Sequence, residues 1–332
     1  KICFGRQDRG EAKSKAEKEL TQAIKYKTPF SLTLNQTVEP LKISSISNLP
    51  LSKANLIYLS CINNSLNISE EFELVSRIVK TCPLIILHIN NQEITIESSI
   101  MLGNSIEDNI SLKEIWMLNN NYHPVVYESD IDQLNKNQKE QIRLSGLNFV
   151  MRGIFQSKSI TRVYINNYIQ EIIYAPSIVV QENKPKNCRS NSTQNNNYPL
   201  ALSYNFLTLK RINQSIVHLN LSNNKPLKDL YFITILNNLS LNSLKYLALS
   251  NTGIGKLGIK ALSKVLNTNK TLQYLDLSKN NLPFSGIEYL CYSLRLNSTL
   301  KMLNLSSVVY NSNLSEEAIV RSCLSKNDFF LQ

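Results

Sequence analysis

Apolar and polar residues alternate along this chain in a pattern that returns every 28 positions. "IVHLNLSNN" from Ile216, "LKYLALSNT" from Leu244, "LQYLDLSKN" from Leu272 and "LKMLNLSSV" from Leu300 share it, each beginning 28 residues after the one before. An earlier trio keeps the same interval: "LIYLSCINN" from Leu56, "LIILHINNQ" from Leu84 and "LKEIWMLNN" from Leu112, and "ITRVYINNY" from Ile160 lies between the groups. The opening LxxLxL of each unit predicts a short strand whose alternate apolar residues, such as Leu247 and Leu249, face one side. The following half has helical spacing, with Ile259, Leu262, Val265 and Leu266 recurring at steps of three and four. Neither element can bury its apolar face alone, so the copies must stack into a solenoid.

On these residues the chain resembles the leucine-rich repeat family, and its 28-residue unit with a full helix is similar to the ribonuclease-inhibitor-like type. The resemblance covers about Leu56 to Ser307 and is strongest from Ile216 to Ser306. It implies an α/β leucine-rich repeat solenoid, a horseshoe with a concave parallel β-sheet and convex helices. Asn64, Asn120, Asn224 and Asn280 match the family's asparagine, whose amide satisfies backbone groups at the turn after the strand. Thr252 and Gln92 stand at that position as variants, and Tyr168 and Val308 depart from it.

Outside the repeats, residues 1–27 read as a charged helix or a disordered lead-in, with Ala12, Ala16, Leu20 and Ile24 forming a thin apolar stripe. Residues 28–55 read as an N-terminal cap, since an end unit would otherwise expose its core. Residues 56–332 form the repeat domain. Irregular intervals put insertions near 121–141 and 181–198; the second, within "ENKPKNCRSNSTQNNN", lacks apolar residues to pack and reads as a mobile loop. The stretch "YPLALSYNFLTLKRINQS" between them and Ile216 reads as helical.

The stretch "LSNTGIGKLGIKAL" carries Gly253, Gly255 and Gly258 in the GxGxxG spacing of a dinucleotide-binding turn, with Asp276 as the acid for a ribose. The repeat argues against that reading. Counterparts of Asp276 in other units are Ser60, His88, Trp116, Tyr164, Asn220, Ala248 and Asn304, so the acid is one member of a variable column. A tight turn and close helix packing account for the glycines, and no cofactor is expected.

Composition narrows the function further. The net charge of +11 suggests an acidic partner or surface. No apolar run approaches the roughly 18 residues of a membrane span, and the charged opening residues disfavour a secretory signal. The six scattered cysteines read as reduced thiols of a cytoplasmic protein, and the many NxS/T triplets as a consequence of an Asn- and Ser-rich composition. His88, His123 and His218 sit in no catalytic or metal-binding motif, which points away from an enzyme.

Strand alternation places Tyr58, Ser60, His88, Trp116, Tyr164, His218, Ser222, Tyr246, Ala248, Tyr274, Asp276, Ser278 and Met302 on the concave face. Tyr246 and Tyr274 should lie side by side with His218 and Met302 flanking them. Tyr58, Trp116, Tyr164, His218, Tyr246, Tyr274, Asp276 and Met302 are therefore the expected partner-binding residues, the aromatic ones as anchors. The bland alternative is that the rings merely cover the sheet. Few lysines or arginines fall on these positions, which disfavours nucleic acid. The expectation is a non-enzymatic scaffold that binds a protein partner in a cytoskeletal, ciliary or signalling assembly. The alternative, from resemblance to Ran GTPase-activating proteins, is a small-GTPase regulator, although the ending "SKNDFFLQ" does not match their acidic C-terminal tract.

Overall fold

A computed structural model describes residues 1–4, 11–35, 50–62, 69–123, 126–127, 149–167, 174–175, 213–238 and 241–308. Fourteen strands occur among them: β1 (Ile2–Phe4), β2 (Phe30–Asn35), β3 (Leu56–Ile62), β4 (Ile86–Asn90), β5 (Glu93–Thr95), β6 (Glu114–Leu118) and β7 (Asn121–His123). They continue with β8 (Val126–Tyr127), β9 (Arg162–Asn166), β10 (Tyr174–Ala175), β11 (His218–Asn220), β12 (Tyr246–Ala248), β13 (Tyr274–Asp276) and β14 (Met302–Asn304). Ten of these form one sheet in the order β1-β2-β3-β4-β6-β9-β11-β12-β13-β14, every neighbouring pair parallel. The order follows the chain, as stacking of successive strand–helix units requires. Shorter parallel ladders pair β5 with β7 and β8 with β10 on the strand-exit side.

One side of the sheet is closed by helices at Glu11–Tyr26, Ser69–Thr81, Ile96–Asp108, 149–156, Lys228–Asn238, Lys256–Leu266 and Phe284–Leu296. The repeated leucines point into the space between: Leu219, Leu247, Leu275 and Leu303 are at most 1% exposed. The helical positions answer them, with Ile259, Leu262 and Leu266 buried and Val265 packed on the same core. The sheet also extends before Leu56. Strands β1 and β2 join it, and the stripe of helix Glu11–Tyr26 is its packed face, with Ala16, Leu20 and Ile24 buried.

Two amide ladders fasten the units, one at each end of the strands. At the exit end, the Asn120 amide donates to Ile89 O at 2.7 Å and its oxygen accepts from Gln92 N at 3.0 Å. Asn224 donates to Ile165 O and Leu221 O at 2.6 Å, and Asn280 to Leu249 O and Leu277 O at 2.7 and 2.9 Å. Gln92 fills the same role through Cys61 O and Asn90 O, and Thr252 through its hydroxyl to Leu249 O. Val308 instead closes the last described turn by its own backbone, donating to Leu305 O at 3.3 Å. Asn64, Tyr168, the 181–198 insertion and most of the helix-like stretch before Ile216 lie outside the described residues.

The second ladder sits where helix returns to strand. Asn297 donates to Leu266 O and Asn269 O while its oxygen accepts from Thr299 N and Leu300 N. Asn269, Asn213 and Asn109 repeat this arrangement, and all four are 8% exposed or less. These four asparagines head the triplets NIS, NQS, NKT and NST. Chance composition does not explain those triplets: the asparagine caps the next strand, and in two of them the Thr271 and Thr299 hydroxyls bond carbonyls of the preceding unit.

A third column explains why asparagines come in pairs. Asn91, Asn119, Asn167, Asn223 and Asn251 all have positive φ, between 53° and 63°, and Lys279 and Ser307 continue the column at 56°. Asparagine tolerates this left-handed turn better than most side chains do. Glycine is demanded elsewhere, where helix Ile96–Asp108 meets the helical stretch at 149–156. A Cβ on Gly153 would strike the Gly103 carbonyl, and one on Gly103 the Phe149 carbonyl.

Candidate functional site: an aromatic ladder on the helix-free face

The burial alternation of β4 and β6 leaves every second side chain half-exposed on the side away from the helices. Seven of these form a continuous row of rings, Tyr58, His88, Trp116, Tyr164, His218, Tyr246 and Tyr274, one on each of seven neighbouring strands. Centroid separations along it are 5.0, 5.5, 3.8, 4.6, 3.8 and 4.2 Å. Three contacts are stacked: Trp116 on Tyr164 at 14°, His218 on Tyr246 at 8° and Tyr246 on Tyr274 at 4°.

Register explains where the row is straight and where it steps. His88 lies opposite Trp116, Trp116 opposite Tyr164, His218 opposite Tyr246 and Tyr246 opposite Tyr274. Tyr58 is opposite Ile86, and Tyr164 opposite Asn220, so the row crosses to the diagonal neighbour at β3–β4 and at β9–β11. The first step is closed by a hydrogen bond of 3.2 Å between the Tyr58 hydroxyl and His88 Nδ1. Met302 lies opposite Tyr274 and is 41% exposed, extending the row by one apolar side chain.

Two of the eight expected partner-binding residues are also tied to neighbours on this face. Trp116 is half-buried, its ring face taken by Tyr164 and its Nε1 donating to Glu114 Oε1 at 2.5 Å. Asp276 faces the same side but is engaged locally, its Oδ1 accepting from Ser278 N at 2.9 Å, as Asn220 and Asn304 do for Ser222 and Ser306. The small residues expected beside the rings are covered: Ser60, Ala248, Ser222 and Ser278 are at most 8% exposed. Short side chains do not reach solvent past ring-bearing neighbours. His88 completes the row. Its column position was legible, but ring-to-ring continuity needs the register.

Burial sets the row's electrostatics, and one ion pair beside it modulates them. Arg162 Nη1 lies 3.3 Å from Glu114 Oε2, with the Glu114 side chain 17% exposed. Burial lowers the pKa of His218 to about 4, Arg162 adding to the shift and Glu114 opposing it. Burial also lowers that of His88, against Glu114. Both imidazoles are therefore neutral at pH 7, a requirement for stacking without the cost of a buried charge. Burial raises the Tyr164 and Tyr246 hydroxyls, so neither is ionised at neutral pH.

The glycine-rich turn has a different occupant from a cofactor. Asp229, from the helix of the preceding unit, accepts from Gly255 N at 2.6 Å and Leu257 N at 3.1 Å, capping helix Lys256–Leu266. That is where a pyrophosphate would sit. A Cβ on Gly258 would lie 2.6 Å from the same carboxylate, and one on Gly253, at φ 74°, the same distance from Lys225 O. The glycines admit a neighbouring unit.

A family model described as "Leucine Rich repeat" matches residues 240–263 and 268–291. No curated protein matches the sequence. Among solved structures, leiomodin-1 actin-binding site 2 is 20% identical over 36% of this chain and 72% of that one, with a TM-score of 0.32. A chain of the yeast Rad7–Elc1 complex is 13% identical over 87% and 75%, with a TM-score of 0.36. A chain of the latrophilin 3, Unc5D and FLRT2 (LRR) complex is 12% identical over 91% and 82%, with a TM-score of 0.32. Scores of this size bear on neither partner nor activity. The two matched segments are leucine-rich repeats, and their period, strand and amide ladders recur along the described sheet, so the chain has a leucine-rich repeat fold.

Proposed function

We propose that this chain is a non-enzymatic scaffold of the ribonuclease-inhibitor-like type that binds a protein partner along its helix-free, concave face. The observation that carries the reading is the unbroken row of seven rings across seven strands. Rings already stacked on one another lose little freedom when a partner covers them, and large flat side chains supply contact area at low entropic cost. Tyr58, Trp116, Tyr164, His218, Tyr246 and Tyr274 are the anchors, with Asp276 and Met302 at the end of the row. A net charge of +11 favours a partner with an acidic surface, and a cytoplasmic cytoskeletal, ciliary or signalling assembly is the setting proposed.

Affinity purification from the source cells tests the reading, comparing the intact chain with Met302→Glu and with Trp116→Ala/Tyr246→Ala/Tyr274→Ala. Met302→Glu places a charge beside the row without removing packing. Tyr292→Ala, on the helix face and 63% exposed, is the control. Loss of one protein from both concave variants but not from the control is expected. A small GTPase as the lost protein would promote the regulator reading. An unchanged set of partners would reject the concave site.

A further inference from the structure

The loops leading from helix to strand form a second surface, distinct from the ring row. They are tied edge to edge: Cys82 Sγ donates to Leu51 O, Ile85 N to Ile57 O, Lys113 N to Ile85 O, and Thr161 N to Lys113 O. Lys53 in the 3-10 turn before β3, Lys113 before β6 and Lys158 before β9 are all exposed, on three of the four neighbouring strand entries from β3 to β9. Between them lie two of the chain's exposed large apolar side chains, Ile85 at 43% and Ile110 at 83%. Among the described residues, the acids near this edge are engaged. Asp108 pairs with Lys80 at 2.8 Å, Glu107 accepts from the Gln156 amide, and Glu114 is held on the concave side by Arg162.

We infer that this edge docks an acidic, leucine-bearing extended segment of another protein, carboxylates on the lysines and apolar side chains on Ile85 and Ile110. The inference rests on the reading of the chain as a protein-binding scaffold and assigns the acidic part of the partner to the edge, not to the ring row. Charge complementarity argues for the carboxylates: three lysines lie across three strand intervals, about 14 Å at the usual strand spacing, the length of about four extended residues. The isoleucines argue for an apolar component, since a polyanion alone would leave them in water. A nucleic acid would need open ring faces on which to stack its bases. The nearest rings, Tyr58, His88 and Trp116, contact one another on the concave side.

The test is fluorescence anisotropy with the intact chain and three probes: a labelled peptide of about twelve residues alternating Asp or Glu with Leu, the same peptide with Ser for Leu, and oligouridylate of equal length. The Leu peptide is expected to bind best and to weaken as salt rises. Lys53→Glu/Lys113→Glu/Lys158→Glu should weaken it at least about tenfold, Ile110→Ser several-fold, and Met302→Glu should leave it unchanged. All five positions are exposed, and unchanged melting temperatures verify that the variants fold. Tighter binding of oligouridylate, equal binding of the Ser peptide, or no binding of the Leu peptide would overturn the proposal. Loss of binding on Met302→Glu with the lysine variant unaffected would also overturn it and return the acidic partner to the ring row.

Discussion

The imidazole of His218 lies flat against the ring of Tyr246, with centroids 3.8 Å apart and 8° between the planes. The residues are paired across β11 and β12, one repeat apart, so the stacking is a product of register. The solvation that His218 gives up is what depresses its pKa to about 4.

Acid should therefore weaken the fold through this residue. An unfolded histidine takes up a proton near pH 6.5, whereas the folded one resists until about 4. Below pH 6.5 the unfolded state binds more protons, so stability falls as pH drops through that window, and this contribution is fully lost below about 4. Above pH 6.5 it is constant. Urea unfolding at pH 7 and 4.5 checks the sign: the intact chain should lose more stability than His218→Phe, which keeps a ring but cannot be protonated. His88 shifts in the same direction and should leave a smaller residual dependence in that variant.

Asp229→Ala should lower the thermal midpoint by removing the cap on helix Lys256–Leu266, a loss of about 1 kcal/mol by analogy with other N-caps. NAD at about millimolar concentration should leave the midpoint of the intact chain unchanged, because the carboxylate already occupies the helix end. A rise with NAD would restore the cofactor reading of the glycines.

Gly153→Ala should be among the more damaging single-methyl additions, since its Cβ would meet the Gly103 backbone and not a side chain able to move aside. Overpacking of this kind costs about 1–3 kcal/mol. Gly286→Ala is the comparison: its Cβ would have nothing nearer than 3.7 Å, and the change should be close to neutral in the same melting experiment.

Asn297→Ala should destabilise by about 2–3 kcal/mol, because it strips partners from buried carbonyls and amides at once. Ser298→Ala, the exposed middle residue of the same NST triplet, should change little. Denaturant midpoints of the two variants separate a structural triplet from an incidental one. Equal midpoints would contradict the second amide ladder.

Much of the architecture was legible without coordinates, and for a local reason. The strand leucines, the helix stripe of Ile259, Leu262 and Leu266, and the turn asparagines Asn224 and Asn280 each recur in the 28-residue register because each unit must satisfy the same burial and hydrogen-bond demands. The second ladder was not read, although Asn213, Asn269 and Asn297 also recur at multiples of 28 residues. Its asparagines lie in loops, where polar composition is expected anyway, and only their burial separates them from solvent-facing ones.

The period, the parallel strand–helix unit and the column in which each ring stands are written into the order of residues, since these follow from burial within one repeat. Tertiary structure decided what the columns become when stacked. It brought Tyr58 to His88 and Tyr164 to His218 by diagonal steps, hid Ser60 and Ser278 beside the rings, and filled the glycine turn with Asp229 from the unit before. Those outcomes depend on the offset between neighbouring strands and helices, a distance of about 5 Å across the sheet that separates residues 26 or more positions apart in the chain.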